Sequence, residues 1–159
     1  MTNIDDAQAL AATNAHADTN DDTLTGSVAP TPVLESSEVV TATNVIAANE
    51  SGKTFYLGLA GGFTSTLPAP AAGLVFRFVV QVAPTTAYII VTNGSANIMY
   101  GMMEERAGTA GVAGAARDTF NFVANQAIIG DWVEFRSDGT KWFYHGMVDV
   151  AAGNTVAAT

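Results

Sequence analysis

Residues 47–54 are the part of the chain whose residue types best match a phosphate-binding loop. Their sequence, Ala-Ala-Asn-Glu-Ser-Gly-Lys-Thr, fits the loose pattern of such loops except that alanine stands at the first glycine. Phosphate binding by this motif requires a helix after the loop, because the amides at the helix N-terminus hold the phosphate. Residues 55–58, Phe-Tyr-Leu-Gly, follow instead and favour a strand. The stretch is therefore predicted to be a turn that leads into a strand.

Acid–base or metal chemistry would depend on two histidines and a few acids. His16 and His145 have no serine or cysteine constellation around them, and a catalytic base needs a positioned nucleophile or substrate. We expect His145 to be an exposed strand residue. Glu104, Glu105 and Asp118 offer oxygen ligands for a divalent cation, but a Gly/Ala-rich segment with two arginines favours a solvated loop. The chain has no cysteine, and we predict no enzyme, no metal site and no cofactor.

Charge and aromatic residues divide the chain into two unlike parts. Residues 1–38 contain seven acids, no Lys or Arg and no aromatic residue, whereas all fourteen Phe, Tyr and Trp lie between Phe55 and Tyr144. A segment of low hydrophobicity and one charge sign cannot bury enough apolar surface to fold alone. We therefore expect three regions: an extended N-terminal arm (1–37), a β-rich body (38–150) and a C-terminal tail that frays (151–159).

The distribution of charge argues against two classes of partner. The chain carries a net charge of −9, of which the first 38 residues carry −7, so the body is nearly neutral. Binding to nucleic acid or to an anionic membrane surface needs a cationic face. The longest apolar stretches are also much shorter than a membrane span. We expect neither nucleic acid nor a membrane as a partner.

Strand patterns dominate the body. Residues Leu74–Val82 alternate strictly, with one apolar face that includes Phe76 and Phe78 and one mixed face that includes Arg77. Short strands separated by turns recur from residue 38 onwards, and no segment of the body predicts a helix. The Gly/Ala-rich residues Gly101–Asp118 are expected to form a projecting loop. This pattern predicts an all-β fold, an antiparallel β-sandwich or barrel of the jelly-roll type.

Two Asx-Gly pairs predict β-hairpins. Asn93-Gly94 is favoured in two-residue turns and would join the residues on either side of it, with Ile89 opposite Ile98. Asp138-Gly139 would form a second hairpin with Phe135 opposite Trp142, leaving one apolar face and one polar face with two large rings. We define that polar face as the candidate contact face; it consists of Trp132, Glu134, Arg136, Lys141, Phe143 and His145.

The segment from Ser51 to Gly146 contains turn-and-strand motifs in a distinctive order. They are 51–57 (Ser-Gly-Lys-Thr-Phe-Tyr-Leu), 66–74 (Thr-Leu-Pro-Ala-Pro-Ala-Ala-Gly-Leu), 76–80 (Phe-Arg-Phe-Val-Val), 130–133 (Gly-Asp-Trp-Val) and 137–142 (Ser-Asp-Gly-Thr-Lys-Trp). This arrangement resembles the head decoration, or cement, proteins of tailed bacteriophages, and similar cassettes occur in phage tail fibres. The resemblance implies a structural virion protein on the capsid exterior. Such a protein would bind the major capsid protein, form a homotrimer and brace neighbouring capsid subunits.

Two other functions remain open from the sequence. The rings of Trp132 and Phe143 would suit a tail-fibre or tailspike module that binds host glycan on an aromatic platform. A glycan hydrolase would need two well-placed carboxylates. Glu134 is the one acid inside a clearly predicted strand, so the hydrolase is the least favoured of the three functions.

Overall fold

The computed structural model describes residues 36–106 and 115–158, which all belong to one unit that runs from residue 35 to residue 159. Its strands, in chain order, are β1 (Ser37–Val40), β2 (Asn44–Val45), β3 (Thr54–Leu57), β4 (Phe63–Thr66), β5 (Ala72–Val80), β6 (Tyr88–Val91), β7 (Met99–Glu105), β8 (Thr119–Phe122), β9 (Trp132–Asp138), β10 (Trp142–Val148) and β11 (Asn154–Ala157). The predicted arm, apart from its last two residues, lies outside the described residues. So do residues 107–114 of the predicted loop.

The strands form two sheets. The six-stranded sheet has the order β1-β3-β5-β9-β10-β7, and the five-stranded sheet has the order β11-β8-β6-β4-β2. Successive strands alternate between the two sheets; of the strands described, only β9 and β10 follow each other within one sheet. The prediction of an all-β fold is confirmed, and its arrangement is sandwich-like.

The prediction of purely antiparallel sheets is wrong. β1, β3 and β5 are parallel to one another, β2, β4 and β6 form a second parallel set, and β7 is parallel to β10. The other pairs, β5–β9, β9–β10, β6–β8 and β8–β11, are antiparallel. The reason is the alternation between sheets. When the chain crosses to the other sheet and back, the returning strand can enter beside its predecessor in the same direction, as a crossover connection allows.

The core consists of the inward-facing side chains of both sheets. Along β5, buried and half-buried residues alternate as the sequence pattern predicts, and Phe76 and Phe78 are fully buried. Phe120 of the five-stranded sheet contacts two rings of the six-stranded sheet, with centroid distances of 6.1 Å to Phe135 and 5.9 Å to Tyr144. Both pairs are edge-to-face, a favoured arrangement for aromatic rings. These contacts join the two sheets into one hydrophobic core.

The hairpin predicted at Asn93-Gly94 does not form. Asn93–Ser95 is a single turn of 3-10 helix, after which β6 and β7 belong to different sheets. The Thr92 hydroxyl donates to the carbonyl of Ala96 at 2.7 Å and closes this turn. The Asn-Gly pair therefore makes the tight turn that its residue types favour, but the turn redirects the chain across the sandwich instead of back along β6.

The hairpin predicted at Asp138-Gly139 is confirmed, but its register differs by two residues. Trp142 pairs with Ser137, and Tyr144 pairs with Phe135. The Asp138 carboxylate explains the wider turn, because its Oδ1 accepts hydrogen bonds from the backbone amides of Thr140 and Lys141, both at 2.7 Å. A shift by two residues leaves every side chain on its predicted face, whereas a shift by one would have exchanged the faces.

Two segments are more ordered than the sequence predicts. Asn154–Ala157, expected to fray, forms β11 and pairs with β8, where Val156 packs against the core. Gly101–Glu105, expected to begin a projecting loop, completes β7 and pairs with β10. Gly101 fits there because it has no side chain; a Cβ at this position would overlap the carbonyl oxygen of Tyr144. Neither segment shows a clear alternation of apolar and polar residues, and both are stabilised by pairing with strands elsewhere in the chain.

Candidate contact surface

The structure brings all six residues of the candidate contact face to the outward side of the six-stranded sheet. Five of them lie in β9 and β10, and Lys141 lies in the turn between these strands. Trp132 and Glu134 are half-buried, while Arg136, Lys141, Phe143 and His145 are exposed. The alternation of the two strands places them there, because Val133, Phe135, Trp142 and Tyr144 point into the core. The six residues thus lie on one side of the sheet, and their role as a contact face stays a prediction.

Charged groups on this face form pairs close to the surface. Arg136 Nε lies 2.7 Å from Glu134 Oε1. His145 Nε2 lies 3.1 Å from Glu104 Oε1, so the histidine pairs with an acid of β7 and not with its cross-strand neighbour Glu134. Exposed pairs of this kind contribute little to stability, typically below about 1 kcal/mol. They leave the surface close to electrically neutral.

Trp132 is the most closely packed aromatic side chain on this face. The guanidinium carbon of Arg77 lies 4.3 Å from the centre of the Trp132 ring, which is the geometry of a cation–π interaction. The ring of His145 meets Trp132 edge-on at 5.8 Å between centroids. The two neighbours hold the indole against the sheet, so it is a fixed part of the surface.

A row of apolar side chains crosses five strands of the same face. Strand register places them side by side. We call this set the apolar row; it consists of Val39, Tyr56, Val79, Trp132 and Met147. Its two ends are the most exposed parts, with 52% of Val39 and 43% of Met147 accessible to solvent. Contiguous apolar surface of this kind commonly marks a site of interaction.

The apolar row continues beyond the sheet into the loop before β9. Ile128 and Ile129 are exposed there, Ile129 to 68%. Together with Trp132 and Met147 they line part of a shallow cavity of 230 Å³. The exposed apolar surface is therefore longer than the sheet alone provides.

The outward side of the five-stranded sheet is different in character. Its strands present mainly threonine, asparagine and small aliphatic residues, with no charged side chain in the strands themselves. Examples in register are Thr64, Ile89, Asn121 and Thr155. Asn121 Nδ2 donates to Thr155 Oγ1 at 3.1 Å, so these polar groups partly satisfy one another. Of the two faces, the six-stranded sheet is the one that presents large aromatic rings and charged side chains.

Several residues of the surface were not part of the predicted contact face. They are Val39, Tyr56, Arg77, Val79, Tyr100 and Met147. Alternation in β5 already indicated that Arg77 and Val79 point away from the core. What the sequence lacks is a signal that β5 lies beside β9 or that β7 lies beside β10, because these strands are far apart along the chain.

The residues that the sequence suggested for phosphate or metal binding take part in ordinary turns and ion pairs. Residues 47–54 form a turn and enter β3, as predicted. Lys53 Nζ lies 2.7 Å from Glu50 and 3.0 Å from Glu38, and its hydrogen bond helps to hold the pKa of Glu50 below the ordinary value. Within the described residues, no three His, Cys, Asp or Glu side chains cluster as metal ligands. His16 lies outside the described residues.

Comparisons with known proteins add no relative. No family model matches the chain, and no curated protein matches it at a significant level. Among the described residues, no helix is long and apolar enough to cross a membrane. The surface geometry and the resemblance of the sequence motifs are therefore the two indications of function.

Proposed function

We propose that this protein is a structural virion protein that binds the outer surface of a phage capsid and bridges neighbouring capsid subunits. The observation that carries the proposal is the apolar row, which lies open on a face that also presents Phe143 and Arg136. Aromatic residues, methionine and arginine are enriched at protein–protein interfaces. A half-buried tryptophan within such a row suits an interface anchor.

The partner, the oligomeric state and the role of the arm in this proposal come from the resemblance to decoration proteins. In that setting the partner is the major capsid protein, the protein acts as a homotrimer, and the extended arm of residues 1–37 reaches beyond its own body. If the 34 residues before Glu35 are fully extended, they span up to about 110 Å, at roughly 3.3 Å per residue. Such an arm would let one copy touch several capsid subunits. Binding only to the assembled lattice would stabilise that lattice by mass action.

The test is to strip the protein from virions and heat the heads with and without added protein. We expect stripped heads to release their genome at a lower temperature and added wild-type protein to restore the original value. Met147→Glu places a charge in the apolar row and should fail to restore it. Thr155→Glu, which places the same charge on the outward side of the other sheet, is the matched control and should restore it. Stripped heads as stable as intact heads would overturn the proposal.

A second candidate is a tail-fibre module that binds host glycan. The observation in its favour is an aromatic pair of the exposed Phe143 and the half-buried Tyr100, whose rings lie 6.4 Å apart. Lys141 Nζ lies 5.4 Å from the Tyr100 ring. A Phe143→Ala variant separates the two functions. Loss of host adsorption with unchanged thermal stability of the heads would favour the fibre module over the cement protein.

A further inference from the structure

The guanidinium of Arg77 is not fully hydrogen-bonded. It lies on the outward side of β5, in register with Thr54 of β3 and Glu134 of β9. Its Nε is buried and has no hydrogen-bond partner among the described residues. A buried donor of a charged group that lacks an acceptor destabilises a folded protein, because its interactions with water are lost without replacement.

The nearby carboxylates are engaged elsewhere. Glu134 Oε1 accepts from Arg136 Nε at 2.7 Å, and the described residues form no salt bridge between Glu134 and Arg77. Glu38 and Glu50 both bind Lys53. Glu38 and Glu50 thus share one cation and Glu134 has another, and among the described residues no salt bridge to Arg77 forms.

A cavity of 170 Å³ opens beside this guanidinium. It is lined by Gly52, Lys53, Thr54, Val75, Arg77 and Glu134. Its size suits one carboxylate group and the short carbon stem that bears it. The apolar row lies next to this cavity. Thr54 precedes Tyr56 of the row by two residues in β3, and Arg77 precedes Val79 of the row by two residues in β5.

The ring of Trp132 holds the guanidinium in place at 4.3 Å. A guanidinium fixed in one plane is prepared for two parallel hydrogen bonds to a carboxylate, a geometry that lysine cannot reproduce. The carboxylate of Glu134 in the wall disfavours ligands of higher negative charge, such as phosphate. A singly charged carboxylate therefore fits the cavity best.

We propose that the cavity beside Arg77 binds an aspartate or glutamate side chain of the protein partner that covers the apolar row. This inference rests on the proposed function, which supplies a protein surface as the partner. A protein side chain suits the site better than an acidic sugar does, because a sugar would extend over the neighbouring apolar row, which offers its hydroxyls no partners.

The first test uses the isolated full-length protein and small carboxylates. The side-chain NMR signals of Arg77 Nε–Hε and Trp132 Nε1–H are followed during titration with N-acetyl-aspartate amide, glucuronate or inorganic phosphate. We expect a saturable shift of both signals with the aspartate compound. The Trp132 shift should disappear in Arg77→Lys and persist in Arg117→Lys, the matched control at an arginine outside the candidate contact face and the apolar row. A linear response, or a stronger response to glucuronate or phosphate, would contradict the proposal.

The second test measures binding of the same variants to stripped heads. We expect Arg77→Lys to weaken binding by about tenfold, the loss typical of one charge-assisted double hydrogen bond. Arg117→Lys should change it less than about twofold. If wild-type protein does not bind heads, the proposed function is wrong. If wild-type protein binds and Arg77→Lys binds equally well, only the carboxylate site is wrong.

Discussion

Phe78 and Phe143 allow a direct comparison of a buried and an exposed ring within one sheet. Phe78 is fully buried and stacks on Phe55 at 5.3 Å between centroids, whereas Phe143 is 45% exposed. We expect Phe78→Ala to lower the free energy of unfolding by about 3–5 kcal/mol, the usual loss for a large buried aromatic residue. Phe143→Ala should lower it by less than about 1 kcal/mol. Urea denaturation measures both values, and equal losses would show that the faces are misassigned.

The ionised carboxylate of Asp138 makes the stability of the β9–β10 turn depend on pH. Backbone hydrogen bonds from Thr140, then Lys141, hold the pKa of Asp138 below its ordinary value in the folded protein. A carboxyl group with a lowered folded pKa stabilises the fold above its unfolded pKa, and this stabilisation is lost as pH falls through the folded pKa. Asp138→Ala should therefore lower the thermal midpoint at pH 7, and the difference from wild type should shrink below about pH 4.

Asp138→Asn is the control for this prediction. The asparagine oxygen can still accept the two amide hydrogen bonds, but it carries no charge that titrates. Its midpoint should lie between those of the wild type and the alanine variant at pH 7. A wild-type advantage that stays constant from pH 7 to the acid limit would mean that the turn does not depend on the ionised carboxylate.

β11 is a strand that the sequence does not predict, because the C-terminal tail is expected to fray. Val156 packs against the core, and the amide of Asp118 donates to the carbonyl of Ala157 at 3.0 Å. We expect truncation after Gly153 to lower the thermal midpoint clearly, because it removes these contacts and leaves β8 at the edge of its sheet. Removal of residues 1–34 should leave the midpoint nearly unchanged, since that segment contains no aromatic residue. Equal effects of the two truncations would contradict the division into arm and body.

Sequence patterns were sufficient for features that depend on near neighbours. The alternation around Phe76 and Phe78 indicated which side chains are buried, and the residues of β9 and β10 indicated one outward face. Strand order and direction were not predictable in this way. They depend on which strands meet after the chain has crossed the sandwich, and Asn93-Gly94 makes a good turn for either route. The apolar row was missed for the same reason, because its five residues come from five strands.

The exposed ring of Phe143 on the outward side of the six-stranded sheet raises the question of self-association. We expect the isolated protein to form a homotrimer with Phe143 at its contacts, which leaves the apolar row free to bind the capsid. Sedimentation velocity at tens of micromolar measures the state directly. Phe143→Glu should shift the protein towards monomer, while Thr155→Glu should not. A wild-type monomer under these conditions would contradict the trimer.

The alternation of strands between the two sheets also determines how the chain must fold. The β9–β10 hairpin is the one pairing of chain neighbours among the described strands, and every other ladder joins strands with at least one element between them. Contacts between residues far apart in the chain require loop closure, and the entropy lost on closure is offset only after the contacts have formed. High contact order therefore slows folding. We expect refolding in the range of about milliseconds to seconds. Stopped-flow tryptophan fluorescence would measure it, and Trp132 and Trp142 both report on the one hairpin that can form early.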